Sequence, residues 1–238
     1  MSIYENVNAI RQQIAASARK AGRKPEEIKL IGVTKTICTS RISELLAAGV
    51  EIIGENRVQE LLPKYEFFQK ERIRPREWHF IGHLQKNKVK YIVDKVDLIH
   101  SVDSLDLALE INKRGEQIGK VVNILAEINI AGESSKHGIA PSDALKFAES
   151  LVNMRFVRLS GLMCIPPFVE NAEDNRVFFR NLREIVGGID KIFLDTKSIS
   201  CHNEKPLELS MGMSADFSVA IEEGATMIRL GTALFGER

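Results

Sequence analysis

The run Lys29-Leu-Ile-Gly-Val-Thr34, followed directly by Lys35-Thr-Ile37, decides the fold class. It is a short β-branched apolar stretch of the kind that forms a buried parallel strand, with neither face in water. An open, doubly wound sheet usually carries a glycine-rich phosphate fingerprint after its first strand. Gly32-Val-Thr-Lys-Thr-Ile37 has none. Working outward, similar runs recur at Glu51-Ile-Ile-Gly54, Trp78-His-Phe-Ile-Gly82, Leu98-Ile-His-Ser-Val102, Val121 to Ile130, Val157 to Ile165, Leu207-Glu-Leu-Ser210 and Thr226-Met-Ile-Arg-Leu230. Amphipathic stretches stand between them. Ile42, Leu45 and Leu46 precede Gly49, and Leu105, Ala108 and Leu109 follow Asp103-Ser104, either of which caps a helix start. Leu145, Ala148, Leu151 and Val152 follow Pro141-Ser-Asp143, and Val177 to Val186 precedes the stop Gly187-Gly188. Ala215 to Glu223 lies between Ser214 and Gly224. Eight strand–helix units predict an α/β fold, a closed (β/α)8 TIM barrel forming one domain over residues 1–238. Ile3, Val7, Ile10 and Ile14 recur at helical spacing and add a helix ahead of the first strand. Phe193 to Leu207 reads as a strand start followed by an exposed loop.

Composition narrows the function. The chain has 238 residues, close to the roughly 250 of such barrels, and its 44% hydrophobic content is that of a globular protein. A net charge of +1 removes the main argument for nucleic-acid binding. No apolar run approaches the ~18 residues of a membrane span, and the N-terminus lacks a signal core. The cysteines, Cys38, Cys164 and Cys201, are few and widely spaced, which predicts reduced thiols and a cytoplasmic location.

In a barrel of this kind ligands collect at the C-terminal ends of the strands. Lys35 ends the first, as a solvated loop residue or as a partly desolvated amine able to form a Schiff base. Asn56 stands beside it after the second strand. His79 reads as a satisfied core histidine, and Lys136 lies in a polar loop after the fifth strand, within reach of an anionic ligand. Leu209-Ser-Met-Gly-Met-Ser214 turns through glycine into a helix start with hydroxyls on both sides. Thr226-Met-Ile-Arg-Leu-Gly-Thr232 runs a strand into Gly231-Thr232, with Arg229 inside it. Together these place free backbone N–H groups after strands seven and eight, where barrels commonly bind phosphate. A lysine on strand one facing a phosphate cradle is the arrangement pyridoxal phosphate needs. Cys201-His202 has no second ligand pair at metal spacing, so no metal site is expected.

At these residues the chain closely resembles the YggS/PROSC family of pyridoxal-phosphate-binding proteins, the pyridoxal phosphate homeostasis proteins, related to the barrel domain of alanine racemase. The resemblance runs through Ile31-Gly-Val-Thr-Lys35, Gly54-Glu-Asn56, Trp78-His-Phe-Ile-Gly82, Gly161-Leu-Met163, Leu209-Ser-Met-Gly-Met-Ser214 and Ile228-Arg-Leu-Gly-Thr-Ala233. It implies that Lys35 forms the internal aldimine, that Ser210, Gly231 and Thr232 hold the phosphate, that Arg229 lies against the pyridine nitrogen, and that Asn56 is near the ring. An arginine there disfavours a protonated pyridine nitrogen and weakens the cofactor as an electron sink. Two departures stand out: His83 replaces a proline of many relatives, and the approach from Thr196 to Pro206 is longer than usual.

The resemblance therefore implies a cofactor carrier that binds pyridoxal phosphate reversibly and buffers or delivers it, with apo pyridoxal-phosphate enzymes as recipients and a monomer as the working form. The alternative is an amino-acid racemase. Racemisation needs acid/base groups on both faces of the carbanion. In alanine racemase the second base is a tyrosine associated with a further β-rich domain, and this chain is expected to lack that domain. None of Tyr4, Tyr65 and Tyr91 falls at an expected strand end.

Overall fold

A computed structural model describes residues 2–133, 136–196 and 206–236. The strands are β1 (Lys29–Val33), β2 (Ile52–Glu55), β3 (Glu77–Phe80), β4 (Leu98–Val102), β5 (Val122–Ile128), β6 (Val157–Cys164), β7 (Glu208–Ser210) and β8 (Met227–Leu230). They pair in parallel, in sequence order, and close into a barrel where Lys29 to Gly32 of β1 meet Met227 to Leu230 of β8. The helices are α1 (Ile3–Lys20), α2 (Thr39–Ala47), α3 (Val58–Glu71), α4 (Val89–Ile92), α5 (Leu105–Ile118), α6 (Ala144–Leu151), α7 (Arg176–Thr196), α8 (Phe217–Glu222) and α9 (Thr232–Phe235). The predicted barrel and its leading helix are both present.

Alternation along β1 sorts its side chains between two cores. A Cβ on Gly32 would meet Leu45 of α2 at 2.5 Å, so Gly32 faces the helical shell. Ile31 then points inward, where it clusters with Ile52, Leu98, Leu125, Met163 and Met227, separate from the main core between strands and helices. α1 joins that main core through Val7, Ile10 and Ile14. Ser2 and Glu5 cap its start reciprocally, and Asn6 Nδ2 donates to the carbonyl of Leu234 on α9 at 2.9 Å.

Two expectations are corrected. Gly187-Gly188 does not end the seventh helix: α7 continues through both to Thr196. Phe193 to Thr196 is therefore helical backbone rather than a strand start; residues 197–205 lie outside the described residues. The helix runs through the pair because its apolar face stays buried on both sides, at Phe179, Leu182, Val186 and Ile189, which offsets a cost of about 1 kcal/mol per glycine. α3 has no counterpart in the periodicity reading. Its buried stripe is Val58, Leu61, Lys64 and Phe68, with a lysine among the apolar positions and Pro63 inside the helix, and both disguise the pattern.

Candidate functional site

A cavity of about 500 Å³ opens at the C-terminal end of the barrel. β1 brings Lys35 to it, β2 Asn56, the turn after β7 Ser214, and β8 Arg229, with Gly231 and Thr232 following. Five of the six expected site residues thus share one cavity. Lys35 is exposed at its mouth, so the structure shows no desolvated amine.

The backbone carrying Lys35 is held from below. Thr34 is fully buried and its hydroxyl donates to Glu55 Oε1 at 2.5 Å. Lys64 of α3 donates to the Thr34 carbonyl and to the same Glu55 oxygen, each at 2.7 Å. Burial pushes the Glu55 carboxyl above its ordinary pKa against the pull of Lys64. On the other side of Lys35, Thr36 takes φ +63° and its N–H donates to Glu60 Oε2 at 2.6 Å. A β-branched residue in that region costs on the order of 1 kcal/mol or more, so the surrounding contacts over-determine the turn that presents Lys35. Asn56 is brought close to the end of β3 because Gly82 lacks a side chain; a Cβ there would overlap the Asn56 backbone. Asn56 Oδ1 is buried without a hydrogen-bond partner.

Ser210 does not line the cavity. It is fully buried on β7, and its oxygen accepts from Arg229 Nη1 at 2.5 Å. Arg229 Nη2 donates to the Cys164 carbonyl at 2.9 Å. The chain turns at Gly212 (φ +94°), where a Cβ would meet that of Ala220 at 2.7 Å, and this delivers Ser214 to the cavity instead. Ser214 Oγ accepts from the Ala233 N–H at 3.2 Å. Among the described residues no acceptor takes the N–H groups of Ser214, Ala215, Gly231 or Thr232. None offers a carboxylate within 4 Å of Arg229 either, although that side chain is only 5% exposed. Burial lowers the Arg229 pKa; more distant Glu127 and Asp216 oppose the shift.

Below Arg229 runs a chain of hydrogen bonds that sequence reasoning did not join up. Ser210 Oγ lies 2.9 Å from His100 Nδ1, His100 Nε2 lies 3.0 Å from His79 Nδ1, and His79 Nε2 lies 2.9 Å from Glu77 Oε2. The hydrogen bond from His79 lowers the Glu77 pKa, so the carboxylate is ionised and can only accept. His79 therefore donates from Nε2 and, when neutral, accepts at Nδ1 from His100. Burial, with His79 and Arg229 nearby, holds the His100 pKa well below 6.5, so His100 is neutral; with its hydrogen on Nε2 toward His79, its Nδ1 accepts a hydrogen bond from the Ser210 hydroxyl. His79 is a satisfied core histidine, as expected. The available signal was spacing: His79 and His100 occupy inward positions of β3 and β4.

The remaining candidates are elsewhere. Lys136 pairs with Glu133 at 2.8 Å and lines a smaller cavity beside the first. Tyr4, Tyr65 and Tyr91 sit on α1, α3 and α4, and none of them lines the Lys35 cavity. Cys38 and Cys164 are free, and burial pushes the Cys164 thiol up to about 12. Among the described residues no helix is long and apolar enough to cross a membrane.

A family model described as alanine racemase, N-terminal domain, matches residues 6–238. The pyridoxal phosphate homeostasis protein of Aquifex aeolicus (strain VF5) is 43% identical over 238 residues, all of this chain and 99% of that one. The protein of the same name from Escherichia coli (strain K12) is 38% identical over 236 residues, covering 99% of this chain and 97% of that one. Among solved structures, PipY of Synechococcus elongatus PCC7942 with PLP bound matches at a TM-score of 0.81 and 31% identity, covering 99% of this chain and all of that one. Alanine racemase from Corynebacterium glutamicum, 13% identical, shares the fold at a TM-score of 0.67, with 98% of this chain matched to 62% of the racemase. The sequence match runs the full length and the barrel agrees with it: the chain belongs to the alanine racemase N-terminal domain family, among the pyridoxal phosphate homeostasis proteins.

Proposed function

We propose that the cavity holds pyridoxal 5'-phosphate reversibly on Lys35, and that the chain buffers the cofactor and passes it to apo-enzymes. The observation that carries this reading is the convergence of one lysine, one buried arginine without a carboxylate, and four unpartnered N–H groups on a single cavity. When bound, the cofactor supplies an aldehyde that a lysine amine takes up reversibly. Everything else is done by the chain. Gly231, Thr232, Ser214 and Ala215 offer N–H and hydroxyl donors to a phosphate, replacing the Ser210 hydroxyl in that role. Asn56, whose Oδ1 is buried and unpartnered, would offer its amide to the ring hydroxyl. Arg229, held by Ser210 and Cys164, would set its charge against the cofactor's ring nitrogen and disfavour protonation there.

The same geometry favours a carrier over a racemase. The described lining provides no tyrosine as a second acid or base, and Arg229 works against carbanion stabilisation. Relatives named for cofactor homeostasis support the carrier, and PipY with PLP bound supports the ligand. We take the working form to be a cytoplasmic monomer.

The test is borohydride reduction of the loaded protein followed by peptide mass spectrometry. The adduct should fall on Lys35 and vanish in Lys35→Ala; an adduct on Lys136 or Lys88 would displace the assignment. With an amino-acid panel in deuterated water, Cα exchange should be slight, whereas an apo-enzyme acceptor should gain activity. Fast exchange that disappears in Lys35→Ala would establish the racemase.

A further inference from the structure

The loops after β3, β4 and β5 stand at the rim of the barrel, away from Lys35. They bring together His83, Asp103 and His137, whose ligand atoms all lie within 4.8 Å of one another. His83 Nδ1 is 3.4 Å from Asp103 Oδ2, and His137 Nδ1 is 3.9 Å from the same oxygen. The two imidazoles stack, with centroids 3.9 Å apart and planes at 14°.

These separations are too long for hydrogen bonds, which run at about 2.7–3.2 Å for nitrogen and oxygen. Two imidazole nitrogens nevertheless lie within 4 Å of one carboxylate oxygen. Ring lone pairs lie in the ring plane, so one of the stacked rings must rotate out of the stack for both to reach a single ion. A tetrahedral ion bonded at about 2.0–2.2 Å holds its ligands roughly 3.3 Å apart, which the His83–Asp103 pair at 3.4 Å already matches and His137, at 3.9 Å, reaches by moving inward. Two imidazoles and a carboxylate suit a borderline divalent ion, whereas magnesium and calcium prefer sites made of oxygen. Three protein ligands also leave a fourth position open. Asp103 is the anchor, its side chain 15% exposed, while His83 and His137 are 43% and 60% exposed and free to close by side-chain rotation.

We propose that His83, Asp103 and His137 form a binding site for a divalent transition-metal ion of the zinc type, clamping three rim loops together. The site is independent of the cofactor reading. It adjoins a cavity of about 250 Å³ lined by Glu127, Asn129, Lys136 and His137, and Ile165 borders both this cavity and the larger one. An ion here would sit beside the cofactor cavity without contributing to it.

The experiment is calorimetric titration of the full, chelator-stripped chain with zinc alone near neutral pH, repeated with magnesium. Zinc should bind one to one and magnesium should not. His83→Ala, His137→Ala and Asp103→Asn should each weaken zinc by about tenfold or more, and His83→Ala/His137→Ala should abolish binding. Cobalt in place of zinc should give the visible band of a tetrahedral site, lost in the double variant. Both histidines are exposed, so unchanged circular dichroism will show that the variants fold. Absence of one-to-one zinc binding in the native chain would overturn the site. So would full binding in the double variant, which would move the ion to thiols such as Cys38.

Discussion

Three residues separate Ser210 from Ser214, and the left-handed turn at Gly212 among them sends their hydroxyls to different places. Ser210 is committed to Arg229 and His100, while Ser214 reaches the cavity beside the unpartnered N–H groups. Ser214→Ala should therefore weaken pyridoxal phosphate by about 1–3 kcal/mol and pyridoxal much less, because only the former carries the phosphate. Thr232→Val should behave in the same way. Ser210→Ala should lower both affinities alike, since it frees Arg229 rather than a phosphate oxygen. Parallel titrations with the two ligands separate these cases, and equal losses in Ser214→Ala would remove it from the phosphate site. Lys35, Asn56, Arg229, Gly231 and Thr232 were legible in the sequence because each lies at or near a strand end, where barrel geometry concentrates ligands. Ser214 was harder to choose, since strand alternation alone does not say where a chain goes after a glycine turn.

Among the elements, β3, β4, β7 and β8 each contribute to the polar chain from Glu77 to Arg229. His100 is the histidine of this chain whose burial pushes its pKa down. Its pKa in the folded protein lies below the ordinary 6.5, so the unfolded chain takes up the proton first as the pH falls. That makes stability fall below about pH 6.5, by up to about 1.4 kcal/mol per pH unit from this group alone. Glu127, pushed up to about 6 by burial, acts in the opposite sense, so the comparison must be with a variant. His100→Gln should be less stable than the native chain at pH 8, and the gap should narrow as the pH drops through 6.5. Urea midpoints across that range measure it; a constant gap would mean that folding leaves the His100 pKa unchanged, and a widening gap that the fold favours its protonated form. The strands were readable throughout, because buried parallel strands are short apolar runs. The misread helices had physical reasons. Lys64 interrupts the apolar stripe of α3 to reach Glu55, and α7 continues through Gly187-Gly188 because burial of Val186 and Ile189 on either side outweighs local propensity. His83 stood out in the sequence, but nothing joined it to Asp103 and His137, because metal-ligand spacing is a local pattern and the three come from successive loops.

At the scale of the molecule, α1 is the part that the strand–helix count does not require. Its apolar face nevertheless belongs to the main core, packed against α8 and α9. Ile10→Ala should cost about 2–5 kcal/mol in urea unfolding, as for any buried core truncation, while leaving the Lys35 adduct intact. A loss below about 1 kcal/mol would mark the helix as an appendage. The link from Asn6 to the Leu234 carbonyl joins the first helix to the last, and the strand order runs round the ring without a crossover. A ring of this kind has no seam. Joining the two ends with a short linker and cutting the chain at the turn around Gly119 should yield a circular permutant with the same neighbours at every strand, because each strand's position depends on who flanks it and not on when it is synthesised.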